Sequence, residues 1–545
     1  MKDKLISKLL LFPLVFLVVI GLFVTSCAPT PTPTPTPTAK PEGTFTFGTK
    51  MTTCGFLPWA FTTDDSLVWL VVYDTPAYPR VDAEPTPSLA TGWEFSTDYL
   101  SFTMWLREGI QFQGGWGEVT ADDVKYTFEQ LLGPATVFGP AVQMREVIES
   151  IEVIDPYTLV FHQNIPSGDI LFLLTNENQY APILCKKYLE AVGEDEANRN
   201  PVGSGPYRLV EQKTGDYLMY EAYDEHWRVV PEFKYLILRN VPEESTRVAM
   251  LKTGQIDATH ISTPSIAEIP KEGFTVSYWP GGATLFLMFG GIALPEDDRY
   301  VEGYHMQDPW TDIRVREAMN IAIDREAINQ ALELGTATPL GVHWQIPGWK
   351  EQAPHPYDLE RAKQLLAEAG YPDGFSLDIA SMQGLPGCPM GPKEVEAVAG
   401  YWENLGLTVK LIPVELPVWW PDLKESKTAG TISSMRFTYK TNFAFEATLN
   451  TTRGPQIVYQ DAELLRLCDK LLAEPDLTKR DSTWREIAKY EHDNYTTVPL
   501  LRIARVVVSN SQKVGEWPPN SSTYYYNFEY ARHAEPLNTW RLFTP

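Results

Sequence analysis

Short runs of alternating apolar and polar residues predict β-strands that bury one face. The clearest run spans 101–107, where Phe102, Met104 and Leu106 fall on the same side. Similar alternation recurs along the chain, at 44–48, 151–162, 375–380 and 407–414. The run at 151–162 is interrupted by a turn at Asp155 and Pro156, so it predicts two strands.

Apolar residues at helical spacing follow several of these runs and predict amphipathic helices. Thr120 can cap one of them, with Asp122 and Asp123 in the first turn, where the helix dipole favours negative charge. Further helices are predicted at 247–254, 312–325, 358–369 and 393–405. Because strand, helix and strand follow one another between 375 and 414, we predict a βαβ unit with parallel strands.

The N-terminal segment is typical of a targeting sequence rather than of a folded element. An apolar run from Leu9 to Val24 follows three lysines, which favours a signal peptide over a membrane span. The residues Val24-Thr-Ser-Cys27 resemble a bacterial lipobox, which implies cleavage before Cys27 and attachment of lipid to its sulfur. We therefore predict a signal peptide at 1–26 and a lipid anchor at Cys27. The alternative is ordinary secretion with an incidental cysteine.

Residues 28–41 are mostly alternating proline and threonine, which favours an extended polyproline II spacer of ~3.1 Å per residue. Together with the lipidated cysteine, this segment forms a predicted linker at 27–42. Such a tether would hold a domain away from a membrane surface, and an O-glycosylated stalk is the alternative. Both interpretations predict an extracytoplasmic location, on the outer face of the plasma membrane or in a periplasm.

Length and composition exclude several classes of protein. A chain of 545 residues predicts about three domains, and a net charge of −25 argues against binding to nucleic acid. The remaining cysteines show neither a Cys-x-x-Cys pair nor zinc spacing. We therefore predict no metal site and no cofactor. One or two disulfides remain open, without an assigned pairing, among Cys54, Cys185, Cys388 and Cys468.

Three short motifs occur in order between 93 and 132, and two more follow them. They are Trp93-x4-Asp98, Leu106-Arg-x-Gly-x-x-Phe112, Thr120-Ala-x-Asp-Val124, Pro201-Val-Gly-Ser-Gly-Pro-Tyr207 and Tyr223-Asp-Glu-His-Trp227. Together they resemble the family 5 extracytoplasmic solute-binding proteins, the peptide, nickel and oligosaccharide receptors of ABC importers. Alone, the glycine-rich motif lacks the residues of a phosphate loop or a nucleophile elbow, and we interpret it as a structural turn.

The resemblance implies an α/β, two-lobed periplasmic-binding-protein-like fold of class II, with an extra subdomain in the first lobe and a ligand cleft at the hinge. It implies a core of the first lobe at 43–80, 200–290 and 510–545, a subdomain at 81–199, and a second lobe at 291–509. The protein is then expected to be a monomer that closes on a peptide-like, oligosaccharide or other small solute. It would deliver that solute to ABC permease subunits in the membrane.

Candidate ligand contacts follow from the same resemblance. Peptide-binding members carry Trp-x-x-Asp late in the second lobe, whereas the corresponding stretch here, 431–442, offers Arg436 and Lys440 and no carboxylate. Arg436 can bind a carboxylate or phosphate through two hydrogen bonds, and an interlobe salt bridge is its alternative role. The other candidates are Thr53, Phe56, Trp279, Thr284, Trp419, Trp420 and Tyr439. Aromatic faces stack on sugar rings and apolar side chains, but ordinary packing is the alternative for each of them.

Two other functions remain as alternatives. A sensory receptor for a membrane signalling protein would use the same fold and the same closure. An extracytoplasmic hydrolase would need catalytic residues, and no Ser/His/Asp order or His-Glu-x-x-His motif can be identified. We therefore expect no catalytic residues and no enzymatic activity.

Overall fold

A computed structural model describes residues 40–51, 55–60, 68–80, 83–138, 141–175, 182–279, 283–343, 346–385, 388–437, 460–515, Phe528 and Ala531. The predictions made for Cys27, Thr53, Cys54 and Tyr439 lie outside these residues. All structural statements below concern the described part of the chain.

The strands alternate with helices along most of the sequence. The strands are β1 Glu42–Thr49, β2 Ala77–Arg80, β3 Ala83–Pro87, β4 Ala90–Phe95, β5 Ser101–Leu106, β6 Ile148–Asp155, β7 Thr158–Gln163, β8 Tyr207–Lys213, β9 Tyr217–Ala222, β10 Phe233–Asn240, β11 Ala258–Ile261, β12 Phe274–Trp279, β13 Thr284–Phe289, β14 Thr338–Pro339, β15 Ser376–Gln383, β16 Thr408–Glu415, β17 Thr431–Phe437, β18 Thr497–Arg502 and β19 Arg505–Asn510. The helices are α1 Ala121–Leu132, α2 Ala141–Val147, α3 Ile170–Leu173, α4 Lys186–Val192, α5 Glu194–Arg199, α6 Glu244–Lys252, α7 Ile313–Ile321, α8 Arg325–Leu332, α9 Leu359–Glu368, α10 Gly391–Leu405, α11 Leu416–Lys424, α12 Ala462–Ala473 and α13 Leu477–Asp493.

Two large sheets form the centres of two lobes. The first has seven strands in the order β12-β19-β11-β1-β10-β9-β8, and the second has six in the order β14-β18-β13-β17-β15-β16. A separate four-stranded sheet, β4-β5-β7-β6, carries α1 on its buried side. We call strands β1–β12 with β19 and their helices lobe I, and strands β13–β18 with their helices lobe II. Each lobe has its own apolar core.

The hydrophobic pattern predicted many of these elements correctly. Phe102, Met104 and Leu106 are buried on β5, and the run at 151–162 divides into β6 and β7. A reciprocal capping box joins Thr120 to Asp123 at the start of α1. The predicted βαβ unit is confirmed, because β15 and β16 pair in parallel on either side of α10.

Two predicted elements were wrong in detail. The single helix expected at 312–325 is two helices, because Asp324 accepts a hydrogen bond from the Ala327 N–H at 2.9 Å and thereby caps α8. No strand was predicted beyond 414, yet the valine-rich segment Arg505–Asn510 forms β19. This strand pairs with both β11 and β12, so its branched side chains are buried within lobe I.

Strand pairing also indicates where along the chain one lobe ends and the other begins. The expected boundary at 290 would leave β13 in the first lobe, yet β13 is a central strand of the six-stranded sheet. The expected boundary at 509 would divide β19, which belongs to the seven-stranded sheet. Sheet membership therefore favours one crossing between β12 and β13 and another between β18 and β19. The remaining domain bounds stay predictions.

The glycine-rich and aromatic motifs converge on the buried carboxylate of Asp74. The Ser204 hydroxyl and the Trp227 indole N–H donate to its Oδ2 at 3.1 and 2.9 Å, and His226 Nε2 lies 3.2 Å away. Burial raises the pKa of Asp74, but the charges of His226 and Arg228 and the hydrogen bonds with His226 and Trp227 lower it overall below its ordinary value. This network gives the motifs a structural role in lobe I.

Candidate functional site

The polypeptide passes between the two lobes at two neighbouring places. The first crossing leads from β12 to β13, and the second leads from β18 to β19. Trp279, at the end of β12, pairs with Arg505, at the start of β19. The Ile503 N–H donates to the Ala283 carbonyl at 2.8 Å on the other side of the crossing. Because the two connections lie side by side, the lobes can rotate about them as about a hinge.

The lobes also meet at a second contact, formed by the α3 region of lobe I and the start of α13 in lobe II. Asp169 and Arg480 form an ion pair across it, and their side chains are only 6% and 1% exposed. Gly168 packs against Pro475 and Leu477 so closely that an added Cβ would overlap the Pro475 carbonyl. Leu477 joins the apolar core of lobe I. This contact therefore joins the two lobes in the conformation that the structure shows.

Two of the predicted ligand contacts come together on neighbouring strands. Thr284 begins β13 and is buried, while Arg436 lies near the end of β17, opposite Leu285 of β13. Arg436 is half-buried, and its charge acts on the thiol of Cys388. The structure therefore places Arg436 beside the N-terminal end of α10.

The two predicted tryptophans of α11 are half-buried against the core of lobe II. The Trp419 indole N–H donates to the Ser433 hydroxyl at 3.0 Å. The ammonium group of Lys424 lies 5.6 Å from the centroid of the Trp420 ring. Both tryptophans therefore have packing partners, and the exposed part of each ring remains accessible to another group.

Phe56 has surroundings that favour packing over contact with a ligand. Its side chain is fully buried in the core of lobe I, and its N–H donates to the Asn198 side-chain oxygen at 2.6 Å. The hydroxyl of Tyr73 donates to the Phe56 carbonyl at 3.1 Å. Trp279 is placed by its backbone at the last position of β12, directly before the first crossing.

A group of buried acids that the sequence analysis missed lies between the lobes. Glu333 follows α8, Glu394 lies in the first turn of α10, and both side chains are buried. None of their four carboxylate oxygens has a hydrogen-bond partner. The Cys388 thiol lies close to them in lobe II and also feels the charge of Arg436, and the Thr263 hydroxyl approaches Glu333 from lobe I. We call Glu333 and Glu394 the acid pair.

The electrostatics of the acid pair follow from burial and from like charge. Burial raises the pKa of Glu394, and the neighbouring Glu333 carboxyl raises it further. Burial also raises the pKa of Glu333, although the Thr263 hydroxyl and the Glu394 carboxyl lower it in part. Burial, Glu394 and Glu333 raise the pKa of the Cys388 thiol, against the effect of Arg436. The pair therefore favours an uncharged or singly charged state when no cation is near.

One signal in the sequence could have identified Glu394. The residues of α10 that face the core recur at helical spacing, and Glu394 occupies a position on that apolar stripe. The buried members of this stripe are Gly391, Glu394, Val395, Val398, Ala399, Trp402 and Leu405. Burying a carboxylate on the apolar face of a helix costs free energy unless the carboxylate has a partner. An acidic residue on that face therefore indicates a special role. Glu333 carries no comparable signal, because it lies just after its helix.

Three further findings concern metal binding, disulfides and membrane-spanning helices. Among the described residues, no group of His, Cys, Asp or Glu is arranged to hold a metal ion. Cys185, Cys388 and Cys468 are buried and free, so none of these three forms a disulfide with another described cysteine. No helix in the described part of the chain combines the length and the apolar character that crossing a membrane requires.

Two sheet-centred lobes, an additional four-stranded sheet and two adjacent crossings define the large two-lobed class of solute-binding proteins. The sequence profile of the bacterial extracellular solute-binding proteins, family 5 (middle), matches residues 84–454. The chain belongs to this family, as its motifs predicted.

Named relatives agree with this assignment. Heme-binding protein A of Haemophilus influenzae is 28% identical over 371 residues, and the match covers 64% of each chain. The dipeptide-binding protein of Escherichia coli is 26% identical over 409 residues, which cover 68% of this chain and 71% of the relative. The crystal structure of NikA from Brucella suis in complex with Fe(III)-EDTA superposes with a TM-score of 0.77 at 18% identity, covering 90% of this chain and all of that one. The match thus spans less than two thirds of Heme-binding protein A, and the structural likeness supports the fold.

Proposed function

We propose that this protein is the extracytoplasmic substrate-binding component of an ABC importer. It captures a small solute by closing its two lobes and delivers the solute unchanged to permease subunits in the membrane. The observation that carries this proposal is the pair of adjacent crossings, from β12 to β13 and from β18 to β19. Two adjacent connections of this kind permit rotation of whole lobes while each lobe keeps its own core.

The solute class is peptide-like, oligosaccharide or another small polar molecule. Relatives of this chain are named as binding proteins for heme, dipeptide and glutathione, so the family alone leaves the class open. Arg436 is the cation that we propose for an anionic group of the solute, since guanidinium and carboxylate planes match in two hydrogen bonds. Binding without turnover follows from this role, and the protein then acts as a receptor rather than as an enzyme.

Anchoring to the membrane through lipid on Cys27 completes the proposal. A single acyl chain gives only marginal binding, whereas several chains at ~0.8 kcal/mol per buried methylene hold a protein stably. The Pro/Thr spacer at 28–41 supports this role, because a polyproline II segment keeps a tethered receptor away from the bilayer.

The test begins with the solute that the protein carries when it is purified. Mass spectrometry of the denatured protein would identify that solute, and calorimetry with the stripped and refolded protein would measure its affinity. We expect saturable binding of one solute per chain and recovery of the same molecule after prolonged incubation. Chemical conversion of the bound solute, or failure of the protein to retain any peptide, sugar or chelate, would overturn the proposal.

A further inference from the structure

The acid pair has unsatisfied hydrogen-bonding capacity in a place where water is excluded. Glu333 and Glu394 are about 1% and 0% exposed, and all four of their oxygens lack a hydrogen-bond partner. Buried carboxylates are normally paired with a cation or fully hydrogen-bonded, because desolvation strongly disfavours their charged form. Two such groups side by side therefore indicate that a partner of opposite charge belongs between them.

The position of the acid pair connects it with closure of the lobes. Both glutamates belong to lobe II, whereas the Thr263 hydroxyl that approaches Glu333 belongs to the turn after β11 in lobe I. β14, which begins five residues after Glu333, pairs with the last residues of β18 beside the hinge crossing. Rotation about the hinge would move Thr263 away and uncover Glu333. Glu333 is thus placed to be uncovered in an open form and enclosed in a closed form.

We propose that Glu333 and Glu394 form a subsite for a positively charged group of the solute, either a primary ammonium or a guanidinium. This inference rests on the proposed function, because the cation enters with the solute and is enclosed when the lobes close. Two carboxylates supply enough acceptors for the several N–H donors of either group. The stretch 431–442 contains no carboxylate. Two carboxylates are instead supplied by Glu333, just after α8, and by Glu394, in the first turn of α10.

The neighbours of the acid pair favour an organic cation. The groups that face the pair are Cys388 from lobe II and the uncharged Thr263 from lobe I, and the charge of Arg436 acts on the same Cys388 thiol. Magnesium and calcium prefer about six or more oxygen ligands, which two carboxylates and one hydroxyl do not supply. Arg436 would repel a second cation but attract an anionic group of the solute. A solute that carries one positive and one negative group therefore fits these neighbours best.

Binding of a cation should also release protons. Burial raises the pKa of both carboxyls, and Glu333 raises the pKa of Glu394 further, so the ligand-free pair holds a proton that an incoming cation displaces. Calorimetry in two buffers with different ionisation enthalpies measures this release directly. For the same reason, affinity for a cationic probe should fall as the pH is lowered and both carboxyls become protonated.

The test uses matched probes and matched variants of the full chain. Trialanine is compared with N-acetyl-trialanine, and lysyl-alanine, agmatine and putrescine extend the set to other cations. Glu333→Gln and Glu394→Gln remove one charge each while keeping size. Glu326→Gln on α8 and Glu396→Gln on α10 are the controls, since both residues are exposed on the same helices.

We expect at least one cationic probe to bind the unaltered protein with release of protons, and its acetylated or neutral counterpart to bind at least about ten-fold more weakly. Each substitution in the pair should weaken that probe at least about ten-fold, while the controls stay within about two-fold. Thermal unfolding of the ligand-free variants shows whether they fold. A raised melting temperature with unchanged affinity would assign the pair a purely structural role and overturn the inference.

Two other outcomes separate this inference from the proposed function. If the protein closes on a neutral solute and no cationic probe binds, the inference is wrong and the receptor function stands. If no solute of any class is retained, both are wrong. The inference is also wrong if trialanine and N-acetyl-trialanine bind with equal affinity and the affinities of the other cations do not change when Glu333 or Glu394 is replaced.

Discussion

Replacing Asp169 with asparagine should weaken solute binding indirectly, by destabilising the closed form rather than by removing a contact with the solute. The Asp169–Arg480 pair joins lobe I to lobe II, and both side chains are almost completely buried. If the lobes separate about the hinge, the pair breaks and both groups return to water. Asp169→Asn therefore destabilises the closed form selectively, because Arg480 is then buried in that form without a carboxylate.

The size of the effect follows from this difference between the two forms. Removing one partner of a buried ion pair costs about 3–5 kcal/mol, and a retained hydrogen bond to the asparagine oxygen lowers that cost to about 2–3 kcal/mol. When the unliganded protein is mainly open, the whole cost appears in the affinity, since only the closed form binds well. At 1.4 kcal/mol per factor of ten, the dissociation constant should rise by about 30- to 150-fold.

Isothermal titration with the solute recovered from the purified protein measures this change. Lys479→Met is the matched control, because Lys479 neighbours Arg480 on α13 and its pair with Asp476, at 3.5 Å, is exposed. The double variant Asp169→Asn/Arg480→Met should bind better than Arg480→Met alone, since it leaves no buried charge without a partner. An unchanged affinity of Asp169→Asn would refute the assignment of this contact to the closed form.

The remaining predictions concern stability, anchoring and the ligand. Gly203→Ala should lower the free energy of unfolding by about 2–3 kcal/mol in a denaturant titration, because an added Cβ overlaps the neighbouring backbone, whereas Gly400→Ala, in an open helical position, should be neutral or stabilising. Asp74→Asn should cost at least about 2 kcal/mol at pH 7, and the difference should shrink below pH ~4. The reason is that a carboxyl with a lowered pKa stabilises the fold above its ordinary pKa and loses that effect as acid protonates it. Cys27→Ser should move the protein from the membrane to the soluble fraction, and continued membrane association would contradict the lipid anchor. Arg436→Ala should weaken an anionic solute at least about ten-fold, and an unchanged dissociation constant would exclude its proposed role.

Local patterns predicted the elements of this fold well, because each pattern reflects a short-range rule. The alternation at 101–107 and the cap at Thr120 depend only on neighbouring residues, and both are confirmed. The break at Asp324 was missed because apolar spacing continues through it, while the cap that begins the second helix, α8, is a single side-chain hydrogen bond. The strand at 505–510 was missed because its partners, β11 and β12, lie more than 200 residues away.

The candidate site was harder to predict for the same reason. Arg436 could be singled out by family resemblance, but its neighbours come from distant elements that only the folded chain brings together. Glu333 is an ordinary acidic residue in a sequence that contains 70 acids, and only its place on the apolar stripe of α10 distinguishes Glu394. Their burial beside each other depends on the packing of α8 against α10 and on Thr263 from the other lobe. A pattern along the chain carries no information about such an encounter.

The central claim is that two hinged lobes close on a small solute. Small-angle X-ray scattering tests it most directly, on protein stripped of its solute by unfolding and refolding and then on the same protein with that solute restored. We predict that the radius of gyration falls when the solute is added and that it does not fall with an unrelated solute. An identical scattering profile in the two states, despite saturable binding, would contradict the account.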